Sequence, residues 1–209
     1  MQAGQSAPDI LSIGHSTHPW DQFLALLRGA NVTAVADVRS APYSRRAPQF
    51  SRDALIPRLR EAGVAYVFLG KELGGRPADR RLFCEGVVDY ERVAATANFT
   101  AGLDRVIAGA SRYRIALMCA EREPLECHRC LLVSRRLRER GIGIGHILAD
   151  GTIQSHREIE AQLLAIAKAD ADDMFQSPAE RLARAYRICG RKAAFVVPEP
   201  DSRAPPARD

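Results

Sequence analysis

Lysine is scarce in this sequence. It occurs only at positions 71, 168 and 192 of the 209 residues, so the formal net charge of +5 comes from arginine. No apolar run approaches the roughly 20 residues that a membrane-spanning helix needs. The first ten residues have neither the basic region nor the apolar stretch of a secretory signal. These absences predict a protein without a membrane segment, and the cytoplasm is its expected location.

Cysteines are few and stand in no repeated framework. There are five of them, an odd number, which favours free, ligating or catalytic thiols in a reducing compartment over a disulfide scaffold. The excess of arginine favours anionic partners, because guanidinium groups make paired hydrogen bonds to phosphate or carboxylate. A coding bias towards arginine would explain the same excess without any partner.

Short apolar runs alternate with amphipathic helical patterns along the first 150 residues. This alternation is typical of an α/β fold, so we expect a mainly parallel, Rossmann-like sheet of about five strands flanked by helices. One helix is expected over roughly 91–109, whereas 71–90 has no clean period and Gly74–Gly75 marks a loop there. The predicted strands cover 10–15, 32–38, 64–69, 114–119 and 144–148.

The remaining sequence predicts a helical extension. Ser155 with Glu158, and Ser177 with Glu180, have the spacing of a capping box at a helix start. Arginines recur at helical spacing after Ser177, a pattern that fits either a solvent-facing surface or contact with phosphates. We expect an N-terminal tail (1–9), an α/β domain (10–168), a C-terminal helical extension (169–197) and a disordered, proline-rich tail (198–209).

Each predicted strand is followed by reactive or charged side chains. The carboxyl ends of parallel strands open on one edge of a sheet, where ligands bind. Polar loops are common without a site, but this set combines imidazoles, acids, guanidiniums and thiols. The groups in question are His15, Ser16, Asp37, Arg39, Arg45, Gly74, Gly75, Cys119, Glu121, Cys127, His128, Arg129 and His146.

Five short motifs together resemble the uncharacterised family catalogued as domain of unknown function 488. The resemblance covers roughly residues 10–150 and implies a compact α/β domain with a suspected active site, but no settled reaction. The motifs are GHS (14–16), DVRSAPYSR (37–45), LGKELGG (69–75), LMCAEREPLECHR (117–129) and HIL (146–148). The resemblance carries over to His15, Ser16, Asp37, Arg39, Arg45, Gly74, Gly75, Cys119, Glu121, Cys127, His128 and Arg129.

The cysteines allow three kinds of chemistry. Cys127 at the start of a helix could be a nucleophile, with His15 or His128 as its proton carrier. Thiol–disulfide exchange by Cys127 and Cys130 is a second possibility. The third is a zinc or iron site formed by Cys119, Cys127 and Cys130 with His15, His128 or His146. Whether any cofactor is present is left open by the sequence.

A fourth interpretation assigns the chemistry to carboxylates and arginines, and it leads to our main prediction. We expect an enzyme of hydrolase or transferase type that acts on a phosphate-bearing nucleotide or nucleic acid. His15 and Glu121 would transfer protons, Asp37 would orient them, and Cys127 or His128 would assist. The expected substrate-binding residues are Ser16, Arg39, Arg45, Gly74, Gly75 and Arg129. The alternatives are a non-catalytic nucleotide or nucleic-acid binder, and a metalloprotein.

Overall fold

The computed structural model describes residues 9–168 and 176–197. The predicted N-terminal tail, except Asp9, and the predicted disordered tail 198–209 lie outside the described residues, as do 169–175. The strands are β1 (Ile10–Gly14), β2 (Ala34–Asp37), β3 (Ala65–Phe68), β4 (Phe83–Cys84), β5 (Val87–Val88), β6 (Ile115–Cys119), β7 (Ile144–Ile147) and β8 (Ile153–Ser155).

The strands form a six-stranded sheet in the order β3-β2-β6-β1-β7-β8, and β4 and β5 form a separate hairpin. All neighbours in the large sheet are parallel except β7 and β8. The five parallel strands are the five that the sequence predicts, so the α/β, Rossmann-like fold is confirmed. The short antiparallel β8 lacks an apolar run of its own, which is why the sequence did not predict it.

The helices cover both faces of the sheet. They are α1 (Trp20–Gly29), α2 (Arg52–Glu61), α3 (Gly70–Leu73), α4 (Tyr90–Ala94), α5 (Ala97–Ala110), α6 (Arg135–Glu139), α7 (His156–Ile166) and α8 (Pro178–Ala193), with a π-helical segment (Arg129–Ser134) leading into α6. Short 3₁₀ turns occur at Pro48–Phe50, Arg80–Leu82 and Pro124–Glu126.

Each face has its own apolar core. Helices α1 and α2 pack on one face, where Phe23, Leu27 and Leu59 meet residues of β1, β2 and β6. The other face is covered by α3 to α7, the π-helical segment and α8, with Phe99 and Leu132 among its buried residues. The loops after β1 and β6, which are adjacent strands, therefore lead to opposite faces. Such a division opens a crevice at the carboxyl ends of the strands.

The segment between β3 and β6 differs from the prediction. The expected single helix over 91–109 is two helices, because Thr96 interrupts it and its side chain accepts a hydrogen bond from the backbone N–H of Phe99. The preceding stretch 71–90, for which the sequence has no clean period, contains most of α3 and the β4–β5 hairpin. Both capping boxes predicted from the sequence, at Ser155 and Ser177, are present.

The C-terminal helix α8 is attached to α7 through a buried tyrosine. Tyr186 is only 4% exposed, and its hydroxyl contacts His156 (2.8 Å) and Glu160 (3.0 Å) on α7. After α8, the backbone N–H of Val88 donates to the carbonyl of Phe195. The segment that follows α8 thus packs against the β4–β5 hairpin. Within the described ranges, no helix has the length and apolar character that crossing a membrane requires.

Candidate active site

The ends of β1 and β6 are in close contact. Gly14 pairs with Cys119, and the backbone N–H of His15 donates to the carbonyl of Cys119. A Cβ atom at position 14 would lie 1.9 Å from the carbonyl oxygen of Glu121. Only glycine therefore allows the loop after β6 to cross β1 here, which gives the glycine of the GHS motif a structural reason.

A pocket of ≈ 200 Å³ opens beside this contact. Its wall is assembled from the loops after β2, α3 and β6 and from the segment after α8, so residues far apart in sequence share one cavity. The lining residues are Arg39, Ser40, Ala41, Tyr43, Ser44, Gly75, Arg76, Tyr90, Cys119, Ala120, Glu121, Glu126, His128, Ala193 and Phe195.

Two thiols, a carboxyl group and an imidazole meet at the floor of this pocket. Oε2 of Glu121 lies 2.8 Å from Sγ of Cys119 and 2.9 Å from Sγ of Cys127. Nδ1 of His128 is 3.7 Å from the first sulfur and 3.8 Å from the second. We call these four residues the thiol–carboxyl cluster. Cys119, Glu121 and His128 line the pocket, whereas Cys127 lies behind them.

The position of Cys127 favours a thiolate. Its backbone is extended, the helical turn begins at the next residue, and its Sγ accepts a hydrogen bond from the backbone N–H of Arg129 (3.4 Å). Burial by itself raises the pKa of this thiol. A hydrogen bond from Cys119 and the nearby positive charge of Arg129 outweigh burial, and the pKa of Cys127 falls well below its usual value.

The neighbours of Cys127 hold their protons more tightly. Burial, then the contact with Cys127, raises the pKa of Cys119 well above its usual value. The pKa of Glu121 is raised by burial and by the negative charge of Cys127. At His128 burial lowers the pKa, but the charge of Cys127 and hydrogen bonds raise it overall. The lowered pKa of Cys127 thus favours its thiolate, and the raised pKa values of the three neighbours favour their protonated forms.

Two loops hold the imidazole of His128 in place. Its Nε2 lies 2.9 Å from the carbonyl oxygen of Val38, so Nε2–H is the donor and Nδ1 faces the thiols. A Cβ atom at Gly75 would lie 2.7 Å from the ring. At Gly74 it would lie 2.5 Å from Oγ of Ser40. The two glycines let their loop approach these side chains, and Gly75 also lines the pocket.

Arg129 lies below the cluster and not in the pocket. It has no exposed surface, and its guanidinium donates to the carbonyls of Glu121 (2.6 Å) and Arg122 (2.7 Å). These bonds fix the loop after β6. This placement gives Arg129 a role in shape and charge, and its predicted contact with an anion stays a prediction.

Asp37, Arg39 and His15 form a separate buried network. Asp37 accepts two hydrogen bonds from the guanidinium of Arg39 (2.9 and 2.6 Å) and one from the hydroxyl of Tyr66 (2.9 Å). A terminal nitrogen of Arg39 donates to Nε2 of His15 (3.0 Å), whose Nδ1–H donates to the carbonyl of Ser16 (2.8 Å). Burial and then the charge of Arg39 lower the pKa of His15 to about 4.

The structure thus divides the predicted residues into two groups. Arg39, Gly75, Glu121 and His128 line the pocket, with Cys127 directly behind. The residues that do not line it are His15, Ser16, Asp37, Arg45, Gly74 and Arg129. His15 stacks on Phe50 instead, with ring centroids 4.4 Å apart, and its predicted role in proton transfer stays a prediction.

Several residues that line the pocket were not predicted from the sequence as site residues. Arg76 directly follows Gly74–Gly75 and could have been included with them. The aromatic rings of Tyr90 and Phe195 had no local signal, because α4 and the chain end reach the pocket only through tertiary packing. The guanidinium of Arg76 stacks over the ring of Phe195 at 4.9 Å.

The predicted set of metal ligands needs a correction. Cys130 does not join Cys119 and Cys127, because the helical turn that follows Cys127 directs Cys130 towards His146 and His156. The ligand atoms of these three buried residues lie within 4.8 Å of one another. Cys119, Glu121, Cys127 and His128 form the other such group among the described residues.

The two histidines near Cys130, His146 and His156, are part of a continuous chain of hydrogen bonds. Nδ1 of His146 lies 2.7 Å from Oγ of Ser12, and its Nε2 lies 2.8 Å from Nδ1 of His156. His156 in turn reaches Tyr186, which donates to Glu160. With neutral rings each member donates to the next, so every polar atom of the chain is satisfied without an ion. Burial lowers the pKa of His156 to about 4.

The basic face of α8 is less uniform than its sequence suggests. Arg184 and Arg187 are exposed, whereas Arg191 forms an ion pair with Glu85. The predicted contact of this face with nucleic acid stays a prediction.

Comparison with known proteins adds one finding. No curated protein matches the chain, and no solved structure matches it either. A family model does match: its description is "Domain of unknown function DUF488", and it covers residues 19–135. This region contains α1, most of the pocket wall and all four residues of the thiol–carboxyl cluster. Because the match covers more than half of the 209 residues, the chain belongs to the DUF488 family.

Proposed function

We propose that this protein is a cytoplasmic enzyme of hydrolase or transferase type that acts on an anionic, phosphate-bearing substrate of nucleotide size or smaller. The pocket at the carboxyl edge of the sheet is its active site. One observation carries the proposal: a single cavity has guanidinium groups on one wall and the thiol–carboxyl cluster on its floor.

The guanidinium groups of Arg39 and Arg76 are the proposed anion-binding groups. Arg39 is held rigidly by Asp37 and His15, and these bonds leave N–H donors unused on its terminal nitrogens among the described residues. A preorganised guanidinium loses little entropy when it binds an oxyanion. The hydroxyl of Ser44 adds a further donor to the same wall.

Aromatic side chains favour a nucleotide over a simple phosphate ester. Tyr43, Tyr90 and Phe195 all line the pocket, and Tyr43 is 65% exposed. The exposed ring of Tyr43 beside the guanidinium groups suits a ligand with a planar ring and a phosphate, because bases stack on such rings.

The thiol–carboxyl cluster supplies the reacting groups. Glu121 occupies its centre, in contact with both sulfurs and facing the pocket. A carboxyl group at this position would contact the substrate directly, so its replacement is the sharpest test of the proposal. We expect Glu121→Gln to remove at least about 100-fold of the turnover, the usual range for a group that acts in the transition state.

The experiment combines a substrate panel with binding. Purified protein is incubated with nucleoside mono-, di- and triphosphates, and release of phosphate or base is followed by chromatography. Glu121→Gln is compared with Glu123→Gln, which replaces an exposed carboxylate outside the pocket. Turnover that is lost in the first variant and kept in the second supports the proposal.

Binding is measured with the same nucleotides by calorimetry. Arg76→Ala removes a charged donor and should weaken binding about 10- to 100-fold, whereas Arg112→Ala, on an exposed turn outside the pocket, should not. Binding without any turnover across the panel would contradict the enzymatic proposal and favour a nucleotide-binding protein. Equal affinities for the two arginine variants would contradict the assignment of the pocket.

A further inference from the structure

We propose that Cys119, Glu121, Cys127 and His128 together bind one divalent transition-metal ion, for which zinc is the best fit. This inference concerns the same cluster as the proposed function but does not depend on the proposed substrate. It goes further, since it assigns a cofactor to the active site.

The chemical nature of the four groups is the first argument. Two thiols and an imidazole are the ligands that zinc prefers, and a carboxylate is a common fourth ligand. Their ligand atoms lie within 4.8 Å of one another. Calcium and magnesium do not fit, because both require a shell of oxygen ligands.

The distances are the second argument. With metal–sulfur bonds of about 2.3 Å and metal–nitrogen bonds of about 2.0 Å, a tetrahedral site separates sulfur from nitrogen by roughly 3.6 Å. Nδ1 of His128 lies 3.7 and 3.8 Å from the sulfurs of Cys119 and Cys127. The carboxyl oxygen of Glu121 lies 2.8 and 2.9 Å from the sulfurs. In a tetrahedral site this oxygen would lie roughly 3.5 Å from each sulfur, so the side chain of Glu121 would have to rotate away from both sulfurs when the ion binds.

The groups that surround the ligands are the third argument. The bond from Nε2–H of His128 to the carbonyl of Val38 leaves Nδ1 with its lone pair towards the sulfurs. Metal-bound imidazoles in proteins are oriented by a hydrogen bond of this kind. The backbone N–H of Arg129 points at Sγ of Cys127, and a donor to sulfur stabilises a bound thiolate.

Charge is the fourth argument. Two thiolates and a carboxylate carry three negative charges, and a divalent ion with the buried guanidinium of Arg129 balances them. Arg129 has no exposed surface, and the bonds from its guanidinium go to neutral carbonyl groups. A buried cation requires a counter-charge. The Cys127 thiolate alone and the metal-bound cluster each supply one net negative charge beside Arg129, so binding of a divalent ion keeps this balance.

The competing cluster is a weaker candidate. Cys130, His146 and His156 also lie within 4.8 Å of one another, but their imidazoles are already satisfied in a hydrogen-bonded chain that ends at Glu160. Cys119, Glu121 and His128 in addition face a cavity through which an ion and a substrate can enter.

The test uses the full-length chain, purified without an affinity tag. Metal content is measured by elemental analysis as purified, and again after removal of metal and dialysis against Zn²⁺. We expect about one equivalent of metal per chain. Replacement by Co²⁺ should give the ligand-to-metal absorption of a thiolate-bound cobalt ion, which reports the sulfur ligands directly.

The variants locate the ion. Cys119→Ser and Cys127→Ser should each weaken Zn²⁺ binding by at least about 100-fold, since outer-shell partners alone account for about 10- to 100-fold. Cys84→Ser is the control for a thiol outside both clusters. Cys130→Ser separates the two clusters, and it should keep the metal. Circular dichroism identifies any cysteine variant that fails to fold. Zn²⁺ binding is then measured with Glu121→Gln in place of that variant.

Two results would overturn the inference. The first is less than about a tenth of an equivalent of zinc, iron, cobalt, nickel or copper in both preparations of the wild type. The second is metal that is lost in Cys130→Ser and retained in Cys119→Ser. The two proposals fail separately: metal that is absent from a protein with turnover overturns this inference alone, whereas bound metal in a protein without turnover contradicts the proposed function alone.

Discussion

Acidification should destabilise this fold through His15, whose imidazole is enclosed by Arg39 and Phe50. Burial, then the charge of Arg39, lowers its pKa from 6.5 to about 4 in the folded protein. In the unfolded chain the same ring takes up a proton near pH 6.5. Between these two values the unfolded state binds more protons than the folded state, so stability falls as the pH falls. At neutral pH the ring is uncharged in both states and the penalty is absent.

The magnitude follows from the difference between the two pKa values. One pKa unit corresponds to about 1.4 kcal/mol, so at pH 4 the folded state loses about 3 kcal/mol of unfolding free energy through this one ring. Most small domains have only about 5–15 kcal/mol in total. His156, whose pKa burial also lowers to about 4, adds a similar contribution. The two rings lie in different networks, so their effects should add.

The assay is urea unfolding followed by circular dichroism between pH 7 and pH 4. The wild type is compared with His15→Gln, which keeps an acceptor for Arg39 but cannot be protonated. We expect the variant to lose about 3 kcal/mol less than the wild type over this interval. Parallel pH profiles for the two proteins would refute the reasoning, because they would show that His15 does not titrate differently in the folded state.

Three substitutions test other parts of the structure. Gly75→Ala places a Cβ atom 2.7 Å from the His128 ring and should cost about 1–3 kcal/mol of unfolding free energy. Asp37→Asn leaves its buried guanidinium partner without a carboxylate and should cost about 3–5 kcal/mol. Tyr186→Phe removes the hydroxyl that joins α7 to α8 and should cost about 1–3 kcal/mol. All three are measured by chemical denaturation at pH 7.

Each substitution has a matched control that should change stability little. Gly29→Ala adds a Cβ atom with nothing within 4 Å. Asp79→Asn breaks an exposed ion pair with Arg81. Tyr113→Phe removes an exposed hydroxyl. If any control loses as much stability as its counterpart, the contact assigned to that counterpart does not explain the loss.

The parallel sheet could be predicted from the sequence because local patterns of apolar residues mark each of its strands. Five short apolar runs, three of them followed by a helical pattern that ends at a glycine, leave few alternatives. The break at Thr96 was missed because the apolar period continues across it, and only the threonine side chain marks the new start. The hairpin at 83–88 has strands of two residues each, too short for any period to register.

The site was predicted less completely, for a different reason. Strand order brought Cys119, Glu121 and Cys127 to one edge, as expected of a parallel sheet. The direction in which each side chain points could not be predicted from the sequence. His15 and Glu121 follow adjacent strands, but the imidazole packs on Phe50 beneath α1 and α2 whereas the carboxyl turns towards the thiols. Likewise, a π-helical turn after His128 determines where Cys130 points, and no simple period encodes that turn.

The last residue of α8 and the segment that follows it bear on how substrate specificity could change in this protein. Ala193 and Phe195 close one side of the pocket, yet they lie some sixty residues beyond the end of the family match at residue 135. The thiol–carboxyl cluster on the floor of the pocket and the residues at this side of its rim are therefore encoded by separate parts of the sequence. Substitutions at Ala193 and Phe195 would therefore change the shape of the pocket entrance, and with it the range of ligands, without changing the thiol–carboxyl cluster.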